Sequence, residues 1–235
     1  MPSVTPAAAG ASTAAENPSK VGDLSPMRLP SLAPFRHRQF LTYWLMRAVS
    51  TLGFQVQATT IGWQVYEIAR DRGQSVEESA FLLGLVGLAQ FLPLLILSPL
   101  GGQAADRYSR KGIILGYQIA KIATLMALVF VSLRGGEGAL TAVFAAAIVS
   151  GAVNAFAPAA SQALMPMLVP KEDLPQAVAL SSLAFSTSSI IGPAIAGLAI
   201  ALGESTSLGG AVTAYGLAAA FFLGAVCFCL TLKPP

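Results

Sequence analysis

The sequence predicts an all-α membrane protein with six transmembrane helices, and three observations carry that expectation. Of the 235 residues, 54% are hydrophobic and only 11% are charged, whereas soluble domains carry about 25% charged residues. Mean hydropathy is +0.67, so too few polar groups remain to coat a soluble core. Six segments are each long enough to cross a hydrocarbon layer of about 30 Å, which takes about 20 apolar residues. Hydropathy inside them is continuous rather than alternating. That favours helices, whose backbone groups bond internally, over a β-barrel.

The first part of the chain, residues 1–33, is rich in Ala, Ser and Pro. Its AAAGASTAA stretch at 7–15 is too short and too weakly apolar for the core of a signal peptide. The expectation is a disordered cytoplasmic tail at 1–33, followed by a six-helix membrane domain at 34–235. The predicted spans are 41–67, 80–102, 112–133, 139–166, 177–202 and 208–231. They are separated by RDRGQSVEES (70–79), the polar run at 102–111, RGGEG (134–138), VPKEDLP (169–175) and GESTSLGG (203–210).

Lys and Arg counts set the expected orientation, because cytoplasmic loops carry the excess. With the N-terminus inside, Lys20, Arg28, Arg36, Arg38, Arg107, Arg110, Lys111, Lys171 and Lys233 fall on the inner side. Only Arg70, Arg72 and Arg134 fall outside. Both termini are therefore expected in the cytoplasm of a multi-pass protein of the inner or plasma membrane.

Polar groups inside the spans are costly and each is a candidate functional residue. Arg47 lies about six residues into the first span, with Thr51 and Gln55 at i+4 and i+8 on roughly one face. Either this stripe lines a cavity or bonds another helix, or Arg47 snorkels about 9 Å to the inner headgroups. Lys121 lies about 13 Å into the third span at 1.5 Å per residue, too deep for easy snorkelling. Tyr117, Gln118 and Thr124 share its face. Gln90 and Asn154 are isolated amides that either line the same cavity or bond a neighbouring helix. No carboxylate lies deep in any span. The net charge of +3 is modest and gives no reason to expect nucleic acid. The single histidine, His37, sits between two arginines before the first span, where an interfacial anchor is expected rather than a metal ligand. Cys227 and Cys229 point about 200° apart on a helix, cannot pair with each other, and read as small apolar fillers. No nucleophile–base set, phosphate loop or cofactor motif is present, so an enzyme is not expected.

The run GQAADRYSRK at 102–111 holds Asp106, Arg107, Arg110 and Lys111. Such a run cannot lie in hydrocarbon and must form a short loop, where Gly102 is expected to end the second helix and admit a neighbour. The run resembles the signature loop between helices 2 and 3 of the major facilitator superfamily, Gly-x-x-x-Asp-Arg/Lys-x-Gly-Arg-Arg/Lys. Two further stretches, VPKEDLPQA at 169–177 and IGPAIAGL at 191–198, are similar to the branch of that superfamily that exports drugs and siderophores such as enterobactin. The resemblance covers about residues 35 to 233. It implies half of a major facilitator fold, with helices 1–3 and 4–6 as inverted repeats. It also implies a switching role for the loop residues Gly102, Asp106, Arg107, Arg110 and Lys111, which hold the two transporter halves together in one state. Ser109 stands where the pattern has glycine, so a turn needing positive φ would be strained there. Gly192, Pro193 and Gly197 resemble a shortened helix 5 antiporter motif. There Pro193 removes one backbone hydrogen bond and kinks the helix, and the small residues allow close packing. The third helix is peripheral in this superfamily, so Lys121 stays open between a packing network and a substrate contact.

The resemblance therefore implies efflux of a drug- or siderophore-like small molecule by alternating access. The partners are the lipid bilayer, the substrate, and a second six-helix half or a homodimer partner. The alternative is a truncated or structural membrane subunit without transport activity of its own.

Overall fold

A computed structural model describes residues 33–232. The expected tail at 1–32 lies outside the described residues, and the chain enters the fold through a short 3-10 turn at Ala33–Arg36. Seven helices follow: α1 Arg38–Asp71, α2 Val76–Arg107, α3 Arg110–Arg134, α4 Ala139–Asn154, α5 Ala157–Leu164, α6 Leu174–Glu204 and α7 Gly210–Thr231. The described residues contain no strand.

Local chemistry sets several of these limits. Ser75 caps α2 reciprocally: its hydroxyl accepts from the Glu78 amide at 3.2 Å, and the Glu78 carboxylate accepts from the Ser75 amide at 2.9 Å. This capping box satisfies two amides that a helix start leaves without partners. At the other end of the chain's first hairpin, α3 stops at Gly135, whose φ of 58° breaks the right-handed run.

Five stretches are long and apolar enough to cross a membrane: α2, α3, the α4–α5 stretch through Met167, α6 and α7. The first predicted span, 41–67, is helical within α1, but α1 falls short of that standard by composition despite its 34 residues. The reason is visible in its packing. α1 runs against α2, α6 and α7, and it buries Gln57, Thr60 and Gln64, with Gln57 bonded to Lys121 of α3 and Ser150 of α4 and Gln64 to Ser132 of α3 and Tyr215 of α7. A helix shielded by its neighbours can carry amides that a lipid-facing helix cannot.

The fourth predicted span, 139–166, is interrupted. α4 ends at Asn154 and α5 begins at Ala157, with a 3-10 turn at Met165–Met167 beyond. Pro158 supplies the cause: it has no N–H to give to Asn154 and its ring crowds that carbonyl. The polar run at 102–111 is also shorter as a loop than expected. Residues Gly102 to Arg107 belong to α2, and only Tyr108 and Ser109 separate it from α3.

The bundle is closed by small residues, as expected where helices associate by close packing in lipid. Ala147, Ala196, Ala214 and Ala218 are fully buried. Three glycines permit close contact between helices. Gly151 of α4 meets the Gln90 carbonyl of α2, Gly101 of α2 meets the Ala155 carbonyl at the α4–α5 break, and Gly192 of α6 meets the side chain of Gln55 on α1. Two large apolar clusters and a smaller one at Ala199, Ile200 and Ala214 fill the interior. Of the large ones, one surrounds Phe40, Tyr43 and Leu164, the other Val56, Leu125, Tyr215 and Phe222.

Candidate functional site

A cavity of about 270 Å³ lies among α1, α3 and the α4–α5 break. α1 contributes Arg47, Ser50, Thr51 and Phe54; α3 contributes Tyr117 and Gln118; Asn154 and Pro158 come from the break and Phe185 from α6. A second cavity of about 480 Å³ adjoins it on the α5–α6 side, lined by Gln162, Ser181, Ser182 and Ser186. Arg47 and Phe185 line both.

Arg47 is half-buried, and its guanidinium donates to the Tyr43 hydroxyl at 3.4 Å. Tyr43 is held in turn by donating to the Ser161 carbonyl at 2.9 Å. Arg47 makes no ion pair among the described residues; the one such pair joins His37 to Asp173 at 3.3 Å. Thr51 donates to the Arg47 carbonyl at 2.8 Å and also borders the cavity. Gln118 donates through Nε2 to the Ser50 hydroxyl, while its buried Oε1 has no partner.

Arg47, Thr51 and Asn154 are thus brought together as candidate lining residues, and Gln55, Gln90 and Lys121 are not in this wall. Gln55 packs on Gly192 and Gln90 backs on Gly151. Lys121 is wholly buried behind the wall. Its Nζ lies 2.6 Å from the Ser150 hydroxyl and 3.2 Å from Gln57 Oε1, and it sits over the Phe54 and Tyr117 rings at 5.3 and 5.9 Å from their centroids. The sequence reading missed Ser50, Phe54 and Phe185. Ser50 was detectable as the i+3 neighbour of Arg47.

The signature run divides in two. Lys111 donates to the Leu230 and Leu232 carbonyls at 3.1 and 2.5 Å, closing the C-terminal end of α7, where a cation also suits the helix dipole. Arg110 reaches Met167 at the end of the α4–α5 stretch. Asp106 and Arg107 lie exposed in the last turn of α2 and make no ion pair among the described residues. Ser109 has φ −61°, so the glycine of the pattern is not required here. Among the described residues Gly102 admits no neighbour: a Cβ added there would meet nothing within 4 Å, whereas one added at Gly101 would strike the Ala155 carbonyl. In α6, Gly192 is buried while Pro193 and Gly197 are exposed, and a Cβ added at Gly197 would meet nothing within 4 Å among the described residues. The close packing expected of Gly197 is therefore made by Gly192 and Ala196.

A bundle of long apolar helices around a mainly apolar cavity that carries one arginine with several amides and hydroxyls fits a multi-pass membrane transport protein. The chain belongs to the transmembrane secretion effector family of the major facilitator superfamily, whose profile matches residues 29–234. Among its relatives, macrolide efflux protein A of Streptococcus pyogenes is 28% identical over 170 residues, covering 72% of this chain and 40% of the relative. The enterobactin exporter EntS of Shigella boydii is 30% identical over 190 residues, covering 78% of this chain and 41% of the relative. The uncharacterized MFS-type transporter YfiS of Bacillus subtilis is 31% identical over 144 residues, with 61% and 32% covered. The chain thus spans at most about two fifths of the length of these relatives.

Proposed function

We propose that this chain provides the first six-helix half of an efflux transporter for a small molecule, built as two inverted three-helix repeats and working by alternating access. α1 is its first span, and both termini face the cytoplasm of the plasma membrane. The observation that carries the reading is the cavity at Arg47, whose wall combines a cation with several amides and hydroxyls inside a bundle of long apolar helices. Efflux as the direction draws on the names of the macrolide and enterobactin relatives.

A second half, on further sequence of the same polypeptide or on another chain, or a second copy of this one, completes the machine. α2 supports this reading. Only 6% of its most apolar window is buried, and Phe81, Phe91, Leu95 and Ile96 stand more than half exposed. Asp106 and Arg107, which make no ion pair among the described residues, are the groups of the signature run that would grip the other half in one state and release it in the next. Gly192 and Pro193 shape α6 where it borders the cavity-bearing helix α1.

The test is accumulation of a panel of amphipathic dyes in cells with the native locus intact or deleted. Deletion is expected to raise accumulation of at least one dye and a plasmid copy to lower it again. Unchanged accumulation across the panel, with the protein present in the membrane, would favour the alternative of a membrane subunit with no transport of its own.

A further inference from the structure

The two cavities share one cation and no anion. Arg47 lines both, and neither wall contains an Asp or Glu. Along α1 the first acid after Arg47 is Glu67, about 30 Å away at 1.5 Å per residue. Asp173, the acid near the start of α1, is engaged with His37. The guanidinium donates to the phenol oxygen of Tyr43 at 3.4 Å. A guanidinium in a site of reduced dielectric without a counter-ion is a strong attractor for an anion.

The surrounding groups refine the ligand. Ser181 Oγ, buried on the wall of the larger cavity, has no hydrogen-bond partner and can donate to an anionic oxygen. Gln118 Oε1, buried on the wall of the smaller one, lacks a partner and can accept from a hydroxyl or N–H. Phe54, Tyr117 and Phe185 supply flat apolar walls. The Lys121 amine lies behind the first two rings rather than in the cavity.

We propose that the joined cavities at Arg47 bind an amphipathic organic anion. Its acidic group pairs with the Arg47 guanidinium and Ser181 hydroxyl, its ring system lies against Phe54, Tyr117 and Phe185, and a separate hydroxyl or N–H meets Gln118. This assigns a substrate class and rests on the transport reading above. An anionic lipid headgroup shares the acidic chemistry, so the experiment separates the two sources.

The test is binding of carboxyfluorescein, an aromatic anion, and rhodamine 6G, an aromatic cation, to the full chain in phosphatidylcholine nanodiscs, read by fluorescence anisotropy. Carboxyfluorescein is expected to bind more tightly than rhodamine 6G. Arg47→Gln is expected to weaken it about tenfold or more, the loss of one charge-assisted contact. Arg47→Lys retains much of the binding. Should Arg47→Gln fail to insert, Ser181→Ala carries the test, with an expected loss of about threefold for one neutral hydrogen bond. Arg134→Gln, at the far end of α3, leaves binding unchanged. Tighter binding of the cation, binding of neither dye, or anion binding indifferent to both Arg47→Gln and Ser181→Ala overturns the proposal. Displacement of carboxyfluorescein by added phosphatidylglycerol overturns it in favour of a lipid site. Anion binding without any efflux would sink the transport reading alone, and efflux confined to cationic dyes would sink this proposal alone.

Discussion

Lys121 and Ser150 join α3 to α4 in the middle of the bundle: the lysine Nζ lies 2.6 Å from the serine hydroxyl. Gln57 of α1 completes a triangle, accepting from Lys121 at 3.2 Å and donating to Ser150 at 3.2 Å. All three side chains are buried. Such a set fixes the rotation of three helices at once, because turning any one of them strands the polar groups of the other two.

Ser150→Ala is therefore expected to destabilise the protein without affecting insertion. It removes an acceptor from both Lys121 and Gln57. Hydrogen bonds between membrane helices are worth about 0.6 kcal/mol on average and up to about 1.7, so a loss near the upper value is expected for a hydroxyl that serves two partners. The check is thermal unfolding in detergent. An unchanged midpoint would remove the triangle from the account of how α1, α3 and α4 are held.

Adjacent glycines in α2 should behave oppositely. Gly101→Ala drives a methyl group into the Ala155 carbonyl, whereas Gly102→Ala enters open space. The first is expected to cost about 1–3 kcal/mol, as overpacking does. The second should be neutral or mildly stabilising, because alanine favours helix by about 1 kcal/mol over glycine. The same unfolding measurement decides. Equal effects would contradict the close contact of α2 with the α4–α5 break.

Topology is tested by Ser109→Cys in a variant lacking Cys227 and Cys229. Ser109 is exposed between α2 and α3. The expected result is labelling by an impermeant thiol reagent in inside-out vesicles and none in intact cells. Labelling of intact cells would reverse the orientation derived from the Lys and Arg counts.

Much of this fold was legible because lipid permits so few structures. The limits of α3 at Arg110–Arg134 and α7 at Gly210–Thr231 fall within two residues of the predicted 112–133 and 208–231. The interruption of the fourth span was missed although Pro158 signalled it, since an unbroken apolar run outweighed a single proline. The glycine pair 101–102 could not be resolved from the sequence. Neighbouring residues on a helix differ by about 100° in direction, and only the packing of α2 on α4 decides which faces inward. The site was half legible for the same reason. Thr51 shares the Arg47 wall, but Gln55 at i+8 has drifted about 80° around the helix and packs on Gly192. Lys121 was recognised as deep and polar, yet whether it entered the cavity or lay behind Tyr117 depended on the setting of α3.

The most direct measurement of the central claim is efflux in a strain carrying Asp106→Asn at the native locus, where whatever completes the transporter remains present. Asp106 is exposed and makes no ion pair among the described residues, so the substitution should leave the amount of membrane-inserted protein unchanged. If this chain is the moving half of an exporter, dyes that accumulate on deletion should also accumulate in the Asp106→Asn strain. Efflux equal to wild type in that strain, at equal protein level, would contradict the account.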